Sequence, residues 1–239
     1  MIKPDVIVCW PRNCDYPLWR QFIHDNRDRF NLIIIVFTET HQGLDYRQFV
    51  REAMQSDYVL FIEADQPRGK DEDWRNLAIN QALLQSYNAP WIWFTEQDFF
   101  IKDDFWECWN NLQTLGCEVM ATYDGTRMHP CNILIKREAL MNRSRRNFGI
   151  VPDISDHFSI FQKSLEENNV MIGIMPSDTY EHLNGLSHNL TLIYNGQEPV
   201  WAVERFKEYL RSSLEVSVPQ DSRYISLVSA YLNKTMGTT

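Results

Sequence analysis

Runs of apolar residues followed by polar or acidic residues constrain the fold of this chain more than any other feature. The four clearest runs are Asp5–Trp10, Leu32–Glu39, Tyr58–Asp65 and Trp91–Thr95. Their apolar parts are continuous, as in strands of a parallel sheet that helices cover on both faces. Segments with helical periodicity lie between them, for example Tyr16–Arg29. This alternation predicts an α/β fold with a mostly parallel sheet and helices on both faces.

The alternation of elements extends to about residue 175, and helical patterns follow it. The remaining predicted elements are helices at Tyr46–Gln55, Asp71–Tyr87, Asp103–Leu115, Arg137–Asn142, from near Ser155, Ala202–Ser213 and Ser222–Asn233, and strands at Glu118–Tyr123, Asn132–Ile135 and Met171–Pro176. No repeat or low-complexity linker divides the chain. We therefore expect one domain over residues 1–200, with residues 201–239 as its helical C-terminal extension.

Composition and charge exclude several classes of protein. A hydrophobic content of 44% is ordinary for a globular domain and excludes wholesale disorder. The net charge of −9 argues against binding of nucleic acid or of an anionic membrane through the overall charge of the protein. One local exception is the basic segment Lys136–Arg146, which is either a solvated helix end or a contact for an anionic acceptor.

The cysteines and the N-terminal residues bear on the cellular compartment. The five cysteines form no Cys-x-x-Cys pair, which favours reduced thiols over a disulfide framework. Residues 1–20 contain no signal-peptide core, and no apolar run is long enough to cross a bilayer. We expect a soluble cytoplasmic protein with no membrane span.

The run Trp91–Thr95 leads directly into Glu96-Gln97-Asp98. Residues two apart on an extended strand point the same way, so the carboxylates of Glu96 and Asp98 can face one site. Hard oxygen ligands of this kind suit Mg²⁺ or Mn²⁺ held against a phosphate. Taken alone, the same pattern also fits a strand end that simply meets water.

The order of elements, with polar residues after four strands, resembles glycosyltransferases of the GT-A fold and in particular the inverting family 2. The resemblance covers Asp5 to about Met175. It implies a nucleotide-sugar donor whose nucleotide and diphosphate contact residues that follow the first strands and open the helix Asp73–Leu83. The residues implied in these contacts are Pro11, Arg12, Glu39, Asp65, Arg75 and Glu96.

The same resemblance assigns the metal site. Glu96-Gln97-Asp98 stands where the family has its Asp-x-Asp motif, so Asp98 and Glu96 are implied ligands of Mn²⁺ or Mg²⁺. Glutamate in the first position departs from that motif. Several GT-A enzymes add a histidine from a C-terminal loop, which here points to His182, with His188 as the alternative, in the loop Tyr180–Asn189. That loop can also act as a lid.

Inverting transfer requires a general base for the acceptor hydroxyl. In the family the base opens a helix downstream of the metal motif, a position that Asp156 occupies, with Asp153 in reserve. Ser155 replaces the usual acidic neighbour. The alternative interpretation of these residues is a helix N-cap.

The acceptor is not specified by the sequence, which leaves a glycan, a small molecule or, as a minority hypothesis, hydroxylated bases in DNA. Tyr123–Pro130 is predicted to be a loop on the acceptor side. A catalytically silent nucleotide-sugar-binding or scaffold domain is a further alternative. Nucleotidyltransferases and dinucleotide-binding dehydrogenases are disfavoured because no glycine-rich phosphate loop follows the first strand.

Overall fold

The computed structural model describes most of the chain. The described residues are 3–8, 16–37, 44–63, 73–86, 88–96, 99–124, 127–141, 159–182, 189–190, 192–193, 195–199, 204–217 and 222–236.

Strands and helices alternate strictly among the described residues up to 95, and consecutive strands or consecutive helices also occur after that. The strands are β1 (Asp5–Val8), β2 (Leu32–Phe37), β3 (Val59–Glu63), β4 (Trp91–Thr95), β5 (Phe99–Ile101), β6 (Val119–Asp124), β7 (Arg127–Lys136), β8 (Ile172–Ile174) and β9 (Tyr180–His182). The helices are α1 (Tyr16–Asn26), α2 (Leu44–Ala53), α3 (Asp73–Gln85), α4 (Phe105–Thr114), α5 (Arg137–Met141), α6 (Ser159–Glu167), α7 (Glu204–Val216) and α8 (Ser222–Met236).

The described strands form a large sheet with the order β3-β2-β1-β4-β7-β6-β8 and a small sheet of β5 and β9. In the large sheet β3, β2, β1 and β4 are mutually parallel, whereas β7 runs antiparallel to both β4 and β6. β8 is parallel to β6. The predicted α/β fold with a mostly parallel sheet is confirmed.

Helices cover both faces of the large sheet, which explains the continuous apolar runs. In β2 the side chains of Ile33 and Ile35 join the cluster under α1, α2 and α4, while Ile34 and Val36 join the cluster under α3, α5 and α6. All four are fully buried. A central strand that contacts helices on both sides has no position for a polar residue without a partner, because an unpaired polar group buried there would destabilise the fold.

Aromatic rings fill the layer between the sheet and α4. Trp93 of β4 packs against Phe30, Phe105 and Trp106 with ring centroids 5.3, 5.6 and 6.2 Å away. Trp109 is fully buried and meets Trp106 edge-on. Trp106 and Trp109 are therefore core residues rather than sugar-stacking platforms.

The C-terminal helices form a third apolar cluster. Tyr209, Leu210, Val228 and Leu232 pack together there. Phe100 of β5 joins this cluster and lies 4.7 Å from the ring of Tyr209. The predicted helical C-terminal region is thus present. None of the described helices has the length and apolar character needed to span a bilayer.

A buried polar network ties the amino-terminal edge of the sheet together. The Asp5 carboxylate is 1% exposed and accepts hydrogen bonds from Asn31 Nδ2 at 2.8 Å and Ser86 Oγ at 2.6 Å. Arg137 Nη2 lies 3.6 Å from the same carboxylate and donates to Ser86 Oγ at 2.7 Å. Arg137 Nε donates to the Ala89 carbonyl at 2.6 Å. Burial lowers the pKa of Arg137, and Asp5 opposes that shift.

This network gives one basic residue of Lys136–Arg146 a structural role. The Arg137 side chain is only 15% exposed and is directed at the sheet. Lys136 lies 3.4 Å from Glu138. Residues 142–146 lie outside the described residues. Arg137 therefore has a structural role, and the role of the rest of this basic segment stays a prediction.

The region after β4 differs from prediction in two places. The predicted loop Tyr123–Pro130 is largely strand, because β6 and β7 continue into an antiparallel pair in which Tyr123 lies opposite Met128. The predicted loop Tyr180–Asn189 begins with a strand, since Tyr180–His182 pairs with Phe99–Ile101. These backbone groups find hydrogen-bond partners far away in sequence, which local patterns do not show.

Gly173 on β8 provides space for α4. A Cβ atom built at Gly173 would lie 3.0 Å from Cys117 Sγ and 3.0 Å from Leu112 Cδ2. We expect Gly173→Ala to lower the free energy of unfolding by about 1–3 kcal/mol through overpacking. Urea unfolding measures this loss. In the Leu112→Ala background the same substitution should cost much less, and equal costs in both backgrounds would show that Leu112 is not the obstacle.

Candidate active site

The carboxyl ends of four parallel strands meet at one edge of the large sheet. β1, β2, β3 and β4 end there at Val8, Phe37, Glu63 and Thr95. In open α/β sheets, ligands bind outside this edge. Because these strands are parallel, the segments that carry most of the predicted site residues all leave the sheet from this edge.

Among the predicted site residues, Glu96 and His182 are the two whose side chains the structure describes. These two side chains lie together. Glu96 Oε2 and His182 Nε2 are 3.5 Å apart, with side chains 22% and 11% exposed. The pair is an ion pair only when the imidazole is protonated. When the imidazole is neutral, one ring nitrogen is an acceptor that can bind a cation.

The small sheet brings these two residues together. Phe99 N–H donates to the Glu96 carbonyl at 3.4 Å, so β5 starts beside Glu96. β9 then pairs antiparallel with β5, which sets His182 opposite Phe99. Tyr180 stacks on Phe99 at 5.0 Å between ring centroids and covers the same side of the strand pair. The position of His182 thus depends on backbone pairing and not on a single side-chain contact.

A second histidine borders the pair. The rings of His129 and His182 have centroids 4.9 Å apart and planes inclined by 64°, an edge-to-face contact. His129 lies on β7, three residues before Asn132, which is paired with Thr95 at the end of β4. The cluster of Glu96, His129 and His182 therefore occupies the carboxyl end of β4.

The layer beneath this cluster is buried and hydrogen-bonded. Trp93 Nε1 donates to Asn132 Oδ1 at 2.6 Å, and both residues are fully buried. Thr95 is 1% exposed. These contacts hold the end of β4, which is followed by Glu96, in place. A ligand needs such support for a precise geometry.

The helix α6 is fastened to the start of β7. The Met128 N–H donates to Gln162 Oε1 at 2.8 Å, and Gln162 Nε2 donates to Glu166 Oε1 at 2.8 Å. Burial, and secondarily the nearby Glu166 carboxylate, raise the pKa of Tyr123 above its ordinary value. The hydrogen bond from Met128 fixes the position of the helix that directly follows the segment containing Asp153 and Asp156.

Most of the other predicted site residues lie outside the described residues. These are Pro11, Arg12, Glu39, Asp65, Asp98, Asp153, Asp156 and His188. Arg75 lies in the first turn of α3, and its side chain is not described. The roles assigned to them remain predictions.

The described donors fit a cation site in part. Glu96 supplies a carboxylate and His182 an imidazole, a mixed oxygen and nitrogen pair that suits Mn²⁺. Among the described residues no group of three His, Cys, Asp or Glu side chains is placed to hold one ion. Asp98, which lies outside the described residues, is the predicted further carboxylate ligand.

The sequence patterns did not indicate His129 or Gln162 as residues of this region. His129 lies within the expected loop Tyr123–Pro130, and Gln162 lies on the helix expected from near Ser155. The sequence signal that bears on His129 is its neighbour Pro130, since proline inside a strand is typical of an edge or a bulge.

No protein-family model matches the chain, and no curated protein matches its sequence. Among solved structures, TarS of S. aureus (residues 1–349) aligns at 11% identity and a TM-score of 0.52, covering 100% of this chain and 73% of TarS. The structure of that fragment in complex with UDP-GlcNAc aligns at 13% identity and a TM-score of 0.52, covering 100% and 74%. The complex with UDP aligns at 11% identity and a TM-score of 0.51, covering 100% and 73%.

The fold is GT-A-like. At such low identity the likeness shows the fold alone. It agrees with the predicted architecture, including the helical C-terminal region. The described Glu96 and His182 lie at the sheet edge where open α/β folds bind their ligands.

Proposed function

We propose that this protein is a glycosyltransferase that moves a sugar from a nucleoside-diphosphate sugar to an acceptor hydroxyl. The observation that carries the proposal is the contact between Glu96 and His182 at the carboxyl end of β4 in a GT-A-like fold. Structures of TarS, whose fold is similar, include complexes with UDP-GlcNAc and with UDP. A uridine diphosphate sugar is therefore the first donor to test.

The site also requires a divalent cation in this proposal. Glu96, Asp98 and His182 would hold Mn²⁺ or Mg²⁺, with Mn²⁺ favoured by the imidazole. When bound, the cation supplies positive charge that stabilises the leaving diphosphate. Pro11, Arg12, Glu39, Asp65 and Arg75 are proposed contacts of the nucleotide and its diphosphate.

The chemical step is a displacement at the anomeric carbon. The acceptor oxygen forms a bond to that carbon while its proton passes to a carboxylate, proposed as Asp156 with Asp153 in reserve. The bond between the anomeric carbon and the diphosphate oxygen breaks, and the nucleoside diphosphate leaves with the bonding electrons. Attack opposite the leaving group inverts the anomeric configuration. We also keep the prediction of a cytoplasmic enzyme with reduced cysteines.

Calorimetric titration tests donor binding. A panel of nucleoside diphosphates is titrated into the protein with and without Mn²⁺, and we expect UDP to bind in a metal-dependent manner. Release of nucleoside diphosphate from a panel of donor sugars, alone and with glycan acceptors, then tests turnover. Binding without turnover on any donor would favour a catalytically silent domain, and the absence of binding by any nucleotide would refute the proposal.

Two further measurements resolve the finer assignments. Comparison of Asp153→Asn with Asp156→Asn identifies the base, because only loss of the base lowers transfer while leaving donor binding intact. The anomeric configuration of the product, read by NMR, tests inversion. A retained configuration would contradict the proposed single displacement.

A further inference from the structure

A bulge in β7 contains His129. Ala121 pairs with Ile133, but the next pair is Tyr123 with Met128, so the ladder advances two residues along β6 and five along β7. His129 lies in the extra length of β7. Bulges of this kind redirect side chains and are frequent beside active sites.

Both ends of the bulge are fixed. At one end Asn132 pairs with Thr95 of β4 and accepts the hydrogen bond from Trp93. At the other end Met128 is 1% exposed and its N–H donates to Gln162 Oε1 on α6. His129 directly follows Met128, so its backbone has little freedom to move away from the cluster.

The ring of His129 contacts the ring of His182, whose backbone belongs to the small sheet. Pairing with Phe99 fixes the backbone of His182, yet it does not fix rotation of the imidazole about its side-chain bonds. The His129 ring lies edge-to-face on that imidazole at 4.9 Å, while the Phe99 ring is farther away at 6.4 Å. His129 is thus the closer of these two rings.

We propose that His129 is a positioning residue that holds the His182 imidazole in the orientation in which Nε2 faces Glu96. It acts through His182 and not as a ligand, since these three described residues do not form a group placed to hold one ion. Its consequence for donor binding rests on the proposed function. Residues that orient a metal ligand are needed for full metal affinity even though they do not touch the ion.

The test uses three substitutions of His129. Phenylalanine keeps a flat ring and its edge-to-face contact, alanine removes the ring, and glutamine keeps a polar group without the ring. The first readout is the NMR signal of the His182 ring in the ligand-free protein, assigned by its loss in His182→Gln. We expect His129→Ala and His129→Gln to shift and broaden this signal, and His129→Phe to keep it sharp.

The second readout is Mn²⁺-dependent binding of UDP. His129→Ala should weaken it by about tenfold or more, and His129→Phe should stay within about twofold of the parent as a packing-preserving replacement. If His129→Gln kept the Mn²⁺-dependent binding of UDP and His129→Phe lost it, the proposal would be overturned in favour of a polar contact. An unchanged His182 signal in His129→Ala would overturn it as well.

The two readouts separate this proposal from the proposed function. If the parent protein fails to bind UDP with Mn²⁺, the proposed function fails, yet the ligand-free NMR comparison still decides whether His129 orients His182. If His129→Ala does not fold, the other two variants are compared. A His182 signal that is sharp in His129→Phe and broadened in His129→Gln supports the proposal, and equal signals in the two variants contradict it.

Discussion

Replacing Glu96 with Gln is expected to lower sugar transfer by about a hundredfold, together with a loss of Mn²⁺-dependent UDP binding. Glutamine keeps the shape of the side chain and removes its negative charge. In the proposed site a bound cation would supply several kcal/mol of charge stabilisation in the transition state, and losing about 3 kcal/mol of it corresponds to about two factors of ten in rate. Calorimetry with UDP and Mn²⁺ measures the binding, and release of nucleoside diphosphate measures the transfer.

Glu181 offers a matched control for this change. It lies on β9 directly before His182, pairs with Phe100, and points to the opposite side of the strand. Glu181→Gln removes the same charge from the same small sheet and should leave UDP binding within about twofold of the parent, as expected for a charge outside the site. If Glu96→Gln and Glu181→Gln behave alike, Glu96 is not part of a cation site.

His182→Gln extends the same test to the pair. Because Glu96 and His182 are 3.5 Å apart and serve one proposed site, the double variant should lose less than the sum of the two single losses. Strict additivity would show that the two residues act independently.

Replacing Asp5 with Ala is expected to lower the free energy of unfolding by about 3 kcal/mol. Removing one partner of a buried charge pair leaves the other charge uncompensated, which typically costs about 3–5 kcal/mol. Arg137 would keep its bonds to the Ala89 and Ser86 carbonyls, which places the loss at the lower end of that range. Chemical unfolding monitored by tryptophan fluorescence measures the change.

Lys163→Ala serves as the control for Asp5→Ala. Lys163 and Glu167 form an exposed pair 3.9 Å apart on α6, and loss of such a pair changes stability by less than about 1 kcal/mol. Asp5 begins β1, at the opposite end of the strands from Glu96, so the folded Asp5→Ala protein should bind UDP like the parent. A loss below about 1 kcal/mol would show that Asp5 contributes no more than a surface residue.

The buried strands were predictable because their side chains are apolar on both sides of the sheet, each of which is covered by helices. Ile33, Ile34, Ile35 and Val36 are all fully buried, and a run of β-branched residues without a polar gap is what such burial requires. The helices were predictable for the same kind of reason, since one apolar side repeats at helical spacing. Both signals are local in the chain.

The sequence alone did not predict the elements that complete the candidate site. β5 and β9 have three residues each, too few for any periodicity to show. Their pairing depends on chain segments that are far apart in sequence. The bulge in β7 lies between Asn132, where the pairing with β4 ends, and Met128, where the pairing with β6 resumes, and a local sequence pattern does not show either position.

The sequence by itself determined the α/β architecture and, through the acids after β4, a specific place to look for a site. The family resemblance implied that Glu96 and His182 share a site, and the tertiary structure placed them 3.5 Å apart, added His129 beside them and joined Asp5 to Arg137 at the opposite edge. The physical reason is that apolar periodicity reports how each segment meets the core, whereas distances between charged side chains depend on the path of the whole chain.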